Sequence, residues 1–207
     1  MSKFLTSQEN FWYGPFGDDY SKRVNGKEIL ASYISMHARI LKNTENINKI
    51  IEFGSNIGLN LSAYKILKPL THLSAVEINP KALIELKKNK NIDTVYSQSI
   101  FDFKVDFQRD LVLIKTVLIH INPDMLEKVY EILYETSRKY ICIAEYYSPY
   151  PDQVEYRGFK DKLFKRDFAG DMLDKYKNLK LLDYGFIYHR DESFPLGDIN
   201  WFLLEKV

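Results

Sequence analysis

The sequence predicts an α/β fold built on a mostly parallel sheet with helices on both faces. Short apolar runs alternate along the chain with segments of helical periodicity, the order of elements typical of a parallel sheet. Two helical segments begin with the pair Asn-Pro, at 79–80 and 122–123, which are the cap and first-turn residues that helices prefer. The last two apolar runs have only a short loop between them, which favours an antiparallel closing pair.

Seven strands are predicted, each from an apolar or β-branched run bounded by polar residues. The fourth is the clearest, because it is a continuous apolar run between charges, as in strands buried on both faces. We expect the first five strands to be parallel and the last two to be antiparallel. The predicted strands cover residues 49–53, 72–78, 93–97, 110–115, 140–147, 179–190 and 198–206.

Helices are predicted between these strands from apolar residues three and four positions apart. The last helical segment is expected to kink at Gly170. Residues 1–28 are predicted to form an aromatic arm, in which 11–16 either folds over a ligand as a lid or packs on the sheet. At this length, 1–207 is expected to be a single domain. The predicted helices cover residues 26–43, 58–69, 80–90, 123–139 and 159–176.

The composition excludes several classes of protein. With 29 basic and 28 acidic side chains, the chain lacks the charge of a strongly electrostatic nucleic-acid binder. Its single cysteine, Cys142, lies in an apolar run, and one cysteine forms neither a disulfide framework nor a thiolate zinc site. No stretch approaches the roughly 20 apolar residues that span a bilayer. We therefore expect a soluble cytoplasmic protein without a metal, a nucleic-acid partner or a membrane partner.

The turn after the first strand is the first candidate ligand site. Gly54 lacks a Cβ, so the backbone there can approach a ligand closely, and Asn56 tolerates a left-handed conformation. Gly58 follows at a Gly-x-x-x-Gly spacing, whereas a pyrophosphate site needs Gly-x-Gly-x-x-Gly, and a Walker lysine is also missing. A phosphate bound at this turn is therefore disfavoured.

Glu77 ends the second strand and is the second candidate. A carboxylate at this place accepts hydrogen bonds from both hydroxyls of a ribose. Together, Gly54 and Glu77 predict binding of an adenosine group without a phosphate-binding site. The alternative is a surface glutamate that caps the following helix.

These motifs resemble those of class I S-adenosylmethionine-dependent methyltransferases and, within that class, of the methylases associated with pseudaminic acid biosynthesis. The resemblance to the class covers residues 29–207 through the strand order and the motifs EFGSNIGLN, AVEINP, SIFDF and DLVLIKTVLIHI. The narrower resemblance rests on VLIHINP, IAEYYSP, YRGFKDKLFKRDFAGDMLDKY, LLDYGFIYHRD and WFLLEK. The class usually has glycine where this chain has Asn56.

The resemblance implies a Rossmann-like methyltransferase fold that binds S-adenosylmethionine (SAM) and releases S-adenosylhomocysteine (SAH). It places the methionine part of the cofactor over the Gly54 turn, the ribose at Glu77 and the adenine at the loop after the third strand. Glu52 either steers the methionine amino group or fixes the turn through backbone donors. The cofactor-binding residues implied are Glu52, Gly54, Ser55, Asn56, Gly58, Glu77, Ile78, Gln98, Ser99, Ile100 and Lys115.

Methyl transfer requires alignment of a nucleophile and, for a hydroxyl, removal of a proton. His120 is a candidate base because an imidazole titrates near neutral pH, and its alternative role is that of a packed structural residue. Glu145 and Tyr146, which close the fifth strand, are the other catalytic candidates. Packing is the alternative role of the tyrosine.

The acceptor is predicted to be a small polar molecule, and the resemblance indicates a sugar or nucleotide sugar of pseudaminic acid (nonulosonic acid) biosynthesis. Basic residues after the fifth strand would suit an acidic acceptor. Their alternative role is a solvated face paired with nearby aspartates. The candidate substrate-binding residues are Tyr147, Arg157, Lys160 and Lys165. Two other functions stay open: a nicotinamide-dependent oxidoreductase and a non-catalytic protein that binds the cofactor as a sensor or partner.

Overall fold

A computed structural model of the chain describes residues 4–23 and 27–207. The first three residues of the predicted arm lie outside the described residues. So do residues 24–26, which include the last part of that arm and the predicted start of the first long helix at Gly26.

Seven strands form one sheet in the order β3-β2-β1-β4-β5-β9-β8. Strands β1 to β5 are parallel, whereas β9 is antiparallel to both β5 and β8, so the predicted fold class is confirmed. The strand order reverses between β1 and β4, the place where open α/β sheets bind ligands. The strands are β1 (Lys49–Phe53), β2 (His72–Glu77), β3 (Thr94–Ser97), β4 (Arg109–Lys115), β5 (Ser137–Glu145), β6 (Asp152–Tyr156), β7 (Phe159–Lys165), β8 (Leu179–Ile187) and β9 (Ile199–Lys206).

The helices cover both faces of this sheet. On one face, Ile51 and Val112 pack with the apolar side of α6, and on the other, Ile50 and Leu111 pack with α3 and α4. Burial on both faces explains why residues 111–114 of β4 are an unbroken apolar run and why β1 is apolar after Lys49 except for Glu52. The helices are α1 (Ser7–Tyr13), α2 (Pro15–Arg23), α3 (Lys27–Leu41), α4 (Leu59–Leu67), α5 (Pro80–Leu86), α6 (Leu126–Thr136) and α7 (Phe168–Lys175).

The segment after β5 differs from its prediction. Residues 159–165, predicted as the first half of a helix, form strand β7, which pairs with β6 as an antiparallel hairpin. Arg157 and Gly158 have positive φ angles of 52° and 83° and form the two-residue turn of this hairpin, the conformation that tight hairpins favour. The predicted kink at Gly170 is also wrong, because this glycine lies in the first turn of α7, and its amide donates to the capping Asp167 side chain (2.8 Å).

The N-terminal arm forms two helices in its described part. Thr6 caps α1 through a reciprocal contact with Glu9, and α2 follows after a single glycine. The region therefore has defined secondary structure where the sequence predicted only an aromatic segment.

Within the described residues, no helix has both the length and the apolar character needed to cross a membrane.

Candidate functional site

The principal cavity of the described chain lies at the carboxyl edge of the sheet, beside the point where the strand order reverses. Its empty volume is about 1120 Å³, part of which is open to solvent. Loops after β1, β2, β3 and β4 line it on the sheet side, and α1 and α2 contribute a further wall. This position and size are those of a small-molecule site.

The Gly54 turn forms the floor of the cavity. Gly54 has a φ angle of 72°, and a Cβ atom there would lie 2.3 Å from Cγ2 of Val117, so close packing against the loop after β4 requires glycine. Asn56 adopts the left-handed conformation expected for it, with a φ angle of 49°. Thr116 also has a positive φ angle, 52°, a strained conformation for a β-branched residue at the cavity edge.

Glu77 lines the cavity at the end of β2 and is buried. One carboxylate oxygen accepts from the amide of Asn56 (2.7 Å), and the other accepts from the amides of Ile78 (2.9 Å) and Asn79 (2.7 Å). Burial raises the pKa of this carboxyl group, and the three amide donors act in the opposite direction. The cap of α5 is Asn79. Glu77 is therefore a fixed acid that joins the Gly54 turn to the second strand end.

The loop after β3 links the cavity to the N-terminal helices. Gln98, Ser99 and Ile100 all line the cavity, as their predicted place in the fold requires. The hydroxyl of Ser99 donates to a carboxylate oxygen of Glu9 (2.6 Å), which is itself buried. This contact attaches α1 directly to the loop.

The α1–α2 pair, called the lid below after its predicted role, lines one side of the cavity. Asn79 donates from its side-chain amide to the backbone oxygen of Trp12 (3.0 Å) and to Asp18 (3.0 Å). A Cβ atom on Gly17 would lie 1.9 Å from the oxygen of Trp12, so the close approach of the two helices requires glycine there. Trp12 of the 11–16 segment lines the cavity, as does Tyr20 of α2, and closure of this segment over a ligand stays a prediction.

His120, in the loop after β4, also lines the cavity. Its Nδ1 atom lies 2.5 Å from the backbone oxygen of Lys162 in the hairpin, so Nδ1 carries the proton and Nε2 is left as an acceptor. Its ring packs between those of Trp12 (4.6 Å between centroids) and Tyr156 (4.9 Å). Burial lowers the pKa of His120 to about 4, so the ring is neutral at pH 7.

Glu145 does not lie among the cavity-lining residues of the described chain. Its carboxylate accepts from the amides of Val117 (2.9 Å) and Leu118 (2.8 Å), and burial raises its pKa to about 8. Both amides donate to the Oε1 atom, which thus holds the turn after β4 in place, whereas the Oε2 atom is buried without a hydrogen-bond partner among the described residues. The contacts indicate a positioning role for Glu145 where the sequence predicted a catalytic one.

The other predicted catalytic and substrate residues also lie outside the cavity lining. Tyr146 and Tyr147 follow the end of β5, and Tyr147 is exposed. Arg157 and Lys160 are exposed on the β6–β7 hairpin and not on a helix, and Lys165 lies at the end of that hairpin. These basic residues therefore do not form the wall of the cavity.

Glu52 turns away from the cavity into the α3–α4 side of the sheet. Its carboxyl group accepts from the side-chain amide of Asn60 (2.6 Å), which also contacts His37 (2.9 Å). Burial raises the pKa of Glu52 to about 8 and lowers that of His37 to about 3. Asn60 lines the cavity, so Glu52 acts on the site through this residue. The side chain of Glu52 does not contact the backbone donors of the Gly54 turn.

The remaining predicted cofactor residues divide by position. Ser55, Ile78 and Lys115 line the cavity. Gly58 lies outside the lining and stands at the N-cap position of α4 with a φ angle of 80°. Sequence reasoning missed several lining residues, because no local motif marks them. These are Glu9, Tyr20, Tyr33, Asn60, Asn79 and Thr116. For Asn79 the sequence predicts only a helix cap. Its position two residues after Glu77, at the end of the second strand, is the signal that could have identified it as a lining residue.

Comparison of the sequence with protein-family models and with curated proteins finds no match. Solved structures do match over nearly the whole chain. A SAM-dependent methyltransferase from Leishmania major has a TM-score of 0.72 at 14% identity, covering 97% of this chain and 87% of its own. A 1,6-didemethyltoxoflavin-N1-methyltransferase from Burkholderia thailandensis has a TM-score of 0.69 at 12% identity, covering 100% and 93%.

A third similar structure is a SAM-bound amino pentose methyltransferase from Micromonospora echinaspora, with a TM-score of 0.62 at 10% identity and coverage of 100% of both chains. At these identities the likeness concerns the fold. The chain therefore has the Rossmann-like fold of class I SAM-dependent methyltransferases.

Proposed function

We propose that this chain is an enzyme that transfers a methyl group from SAM to a small polar acceptor and releases SAH. The observation that carries the proposal is the buried Glu77 at the carboxyl end of β2, the strand next to β1 in the sheet. Its two oxygens are held by three amides, one from the Gly54 turn and two from residues 78–79, and the oxygen bonded only to Asn56 keeps a free acceptor site for a ribose hydroxyl.

The charges of the cavity suit a sulfonium nucleoside better than a dinucleotide. Among the described lining residues, the acids are Glu9 and Glu77, and Lys115 is the sole lysine or arginine. A pyrophosphate would need a glycine-rich helix start or several cations, and the turn supplies neither. SAM carries a positively charged sulfur and a single carboxylate. This balance argues against the nicotinamide-dependent alternative.

His120 is the residue best placed to accept a proton. Its Nδ1–H is directed to the Lys162 carbonyl, so Nε2 presents a lone pair to a hydroxyl or amine held in the cavity. The lid supports the same reaction, because Trp12 packs on the His120 ring and limits the access of water. When bound, SAM supplies the electrophilic methyl group, and the protein aligns the acceptor with it.

The acceptor we propose is a sugar or nucleotide sugar of pseudaminic acid biosynthesis. Support comes from the sequence resemblance and from the similarity in fold to an amino pentose methyltransferase. Arg157 acts electrostatically on Tyr20, which lines the cavity, and would place a positive charge near an acidic acceptor at the mouth. An acidic sugar is the acceptor that this charge would favour.

Calorimetric titration with SAH and with NAD tests the cofactor assignment. We expect SAH to bind and NAD not to bind. Glu77→Ala should weaken SAH binding roughly 30- to 100-fold, because hydrogen bonds to a charged group are lost and three amides lose their acceptor. Glu85→Ala, an exposed acid on α5, is the matched control and should bind SAH like the wild type. Tight binding of NAD, or no effect of Glu77→Ala, would contradict the proposal.

A further inference from the structure

We propose that Tyr20 of the lid and Tyr33 of α3 form an acceptor subsite with His120, and that this subsite takes a sugar hydroxyl and excludes a protonated amine. The inference rests on the proposed function and assigns the atom that receives the methyl group, the oxygen of a hydroxyl. All three residues line the cavity.

The two tyrosines have hydroxyl groups that the protein leaves without a partner. Tyr33 is only 6% exposed, yet its hydroxyl is neither hydrogen-bonded within residues 4–23 and 27–207 nor completely enclosed by them. Tyr20 is half-buried, and its hydroxyl also has no hydrogen bond to any described residue. A buried phenol usually finds a partner, as a donor or as an acceptor. Both hydroxyls are therefore available to a ligand that presents hydroxyl groups.

Aromatic rings connect these hydroxyls with His120. The ring of Trp12 lies 5.2 Å from that of Tyr20 and 4.6 Å from that of His120, measured between centroids. Tyr156 of the hairpin packs on His120 as well (4.9 Å). The phenol of Tyr20 interacts electrostatically with those of Tyr33 and Tyr156, so the three phenols surround one space. The apolar face of a sugar ring can pack on such rings while its hydroxyls meet the phenols.

The acids of the described lining lie on the other side of the cavity. Glu77 ends β2, and Glu9 is bonded to Ser99 in the loop after β3 (2.6 Å), where the adenosine group is expected. Glu52 and Glu145 each keep a buried carboxyl oxygen without a partner in the described chain, but neither residue lines the cavity. An ammonium group held beside the two tyrosines would therefore lack a counter-ion.

The charges next to the two tyrosines are positive. The Nζ atom of Lys115 lies 4.8 Å from the ring centroid of Tyr33, and Arg157 in the hairpin turn acts electrostatically on Tyr20. Burial lowers the pKa of His120 to about 4, so this ring is neutral at pH 7. Bringing an ammonium group into this space would set like charges together away from water, which costs free energy. A hydroxyl carries no such cost.

The reaction of a hydroxyl needs only the groups in the cavity. A lone pair of the acceptor oxygen forms the bond to the methyl carbon as the carbon–sulfur bond breaks, and the electrons of that bond leave on sulfur as the neutral thioether of SAH. The hydroxyl proton becomes acidic as the new bond forms, so Nε2 of His120 can accept it although it is a weak base. A protonated amine has no lone pair, and His120 is too weak a base to remove its proton beforehand.

The test compares two sugars that differ in one group. The methyl glycosides of N-acetylneuraminic acid and of neuraminic acid share a ring and a carboxylate, but the second has a protonated amine where the first has a neutral acetamide. In calorimetric titration of the SAH-bound protein at pH 7, we expect the first to bind and the second to bind at least tenfold more weakly. Above the pKa of the amine the difference should shrink, because the amine is then neutral.

Two variants test the hydroxyls themselves. Tyr20→Phe and Tyr33→Phe should each weaken binding of the N-acetyl glycoside about 3- to 10-fold, the usual net effect of one hydrogen bond, and leave SAH affinity within about twofold. Both should melt at the temperature of the wild type, since neither loses a hydrogen bond to a described residue. Tyr184→Phe, an exposed tyrosine on β8, is the matched control and should change neither affinity.

Each other outcome overturns a defined part. Equal or tighter binding of the amine glycoside at pH 7 would contradict the hydroxyl acceptor. Unchanged sugar affinity in both phenylalanine variants, an equal loss of SAH affinity in them, or a wild type that binds SAH but neither glycoside would contradict the subsite. A wild type that does not bind SAH would refute the proposed function instead.

Discussion

The two halves of the cavity are built in different ways. In the first half, at β1, β2 and β3, the polar groups are held by backbone amides of neighbouring turns, as Glu77 is held by Asn56. In the second half, around His120, the groups come from segments far apart in the chain: Trp12 lies in the lid, and Tyr156 and Lys162 lie in the hairpin. We infer that the first half is formed by the sheet and its turns. The second half is assembled from the lid and the hairpin, which are added to the sheet.

The largest expected effect separates the two halves. If His120 accepts the proton of the acceptor, His120→Ala should lower the turnover number roughly 10²- to 10⁴-fold while leaving SAH affinity within about twofold. The measurement is transfer of a radioactive methyl group from SAM into nonulosonic-acid sugars, with SAH titration in parallel. His189→Ala, an exposed histidine at the end of β8, is the control.

A wild type that binds SAH but transfers no methyl group to any sugar tested would favour the cofactor-binding sensor over the enzyme. Equal loss of SAH binding and transfer in His120→Ala would show that the two halves are not separable.

The same division explains what could be predicted from the sequence. The predictions for β1 and β4 agree with the structure to within a residue, because both strands are buried on two faces and are mostly apolar, with Glu52 the polar exception inside β1. Once these strands are placed, Gly54 and Glu77 follow at strand ends. A strand end fixes the location of its last side chain, so the first half of the cavity is largely predictable from local patterns.

The second half is not predictable in this way. The hairpin carries closely spaced charges that are compatible with a helix, and these obscure its one strong turn signal, Arg157–Gly158 between alternating runs. Contacts such as that between Gln8 and the backbone of Asp161 join residues 153 positions apart, and no motif marks them. The role of Glu145 was missed for a related reason: the sequence places the residue at the correct strand end but cannot show that backbone amides occupy one of its carboxylate oxygens.

A pH prediction sharpens the comparison within the first half. Burial raises the folded-state pKa of Glu52 to about 8 from its ordinary value of 4.5. Its contribution to the free energy of unfolding is therefore fully present below about pH 4.5 and is lost as the pH rises through 8. Glu52→Gln cannot ionise, so its stability relative to the wild type should increase over this range, by up to about 3 kcal/mol.

Urea denaturation at pH 5, 6.5 and 8 measures this change in the free energy of unfolding. Glu85→Gln, at an exposed position, should show no such trend. A constant difference between Glu52→Gln and the wild type across these pH values would mean that Glu52 is ionised throughout.

The lid gives the next largest effect. Trp12→Ala should admit water to His120, and because burial lowers the pKa of this imidazole to about 4, the pKa should rise towards 6.5. NMR titration of the ring measures the shift directly. The acidic limb of the pH–rate profile of methyl transfer should move to higher pH together with this pKa, and the turnover number should fall about tenfold. Tyr184→Ala, an exposed aromatic residue on β8, should leave the His120 titration unchanged.

The smallest effect tests how the second half is held together. Phe11 of the lid lies 5.0 Å from Phe159 of the hairpin, measured between ring centroids. A double-mutant cycle with alanine at both positions should give a coupling of about 0.5 to 1.5 kcal/mol in the free energy of unfolding, the usual value for an aromatic pair. A matched cycle of Phe11 with Phe186, on the edge strand β8, should give none. Coupling in the first cycle with unchanged 5′-methylthioadenosine affinity in Phe159→Ala would mean that lid and hairpin support each other without shaping the nucleoside site. Zero coupling would mean that this ring contact does not hold them together and that other contacts do, such as the one between Gln8 and the backbone of Asp161.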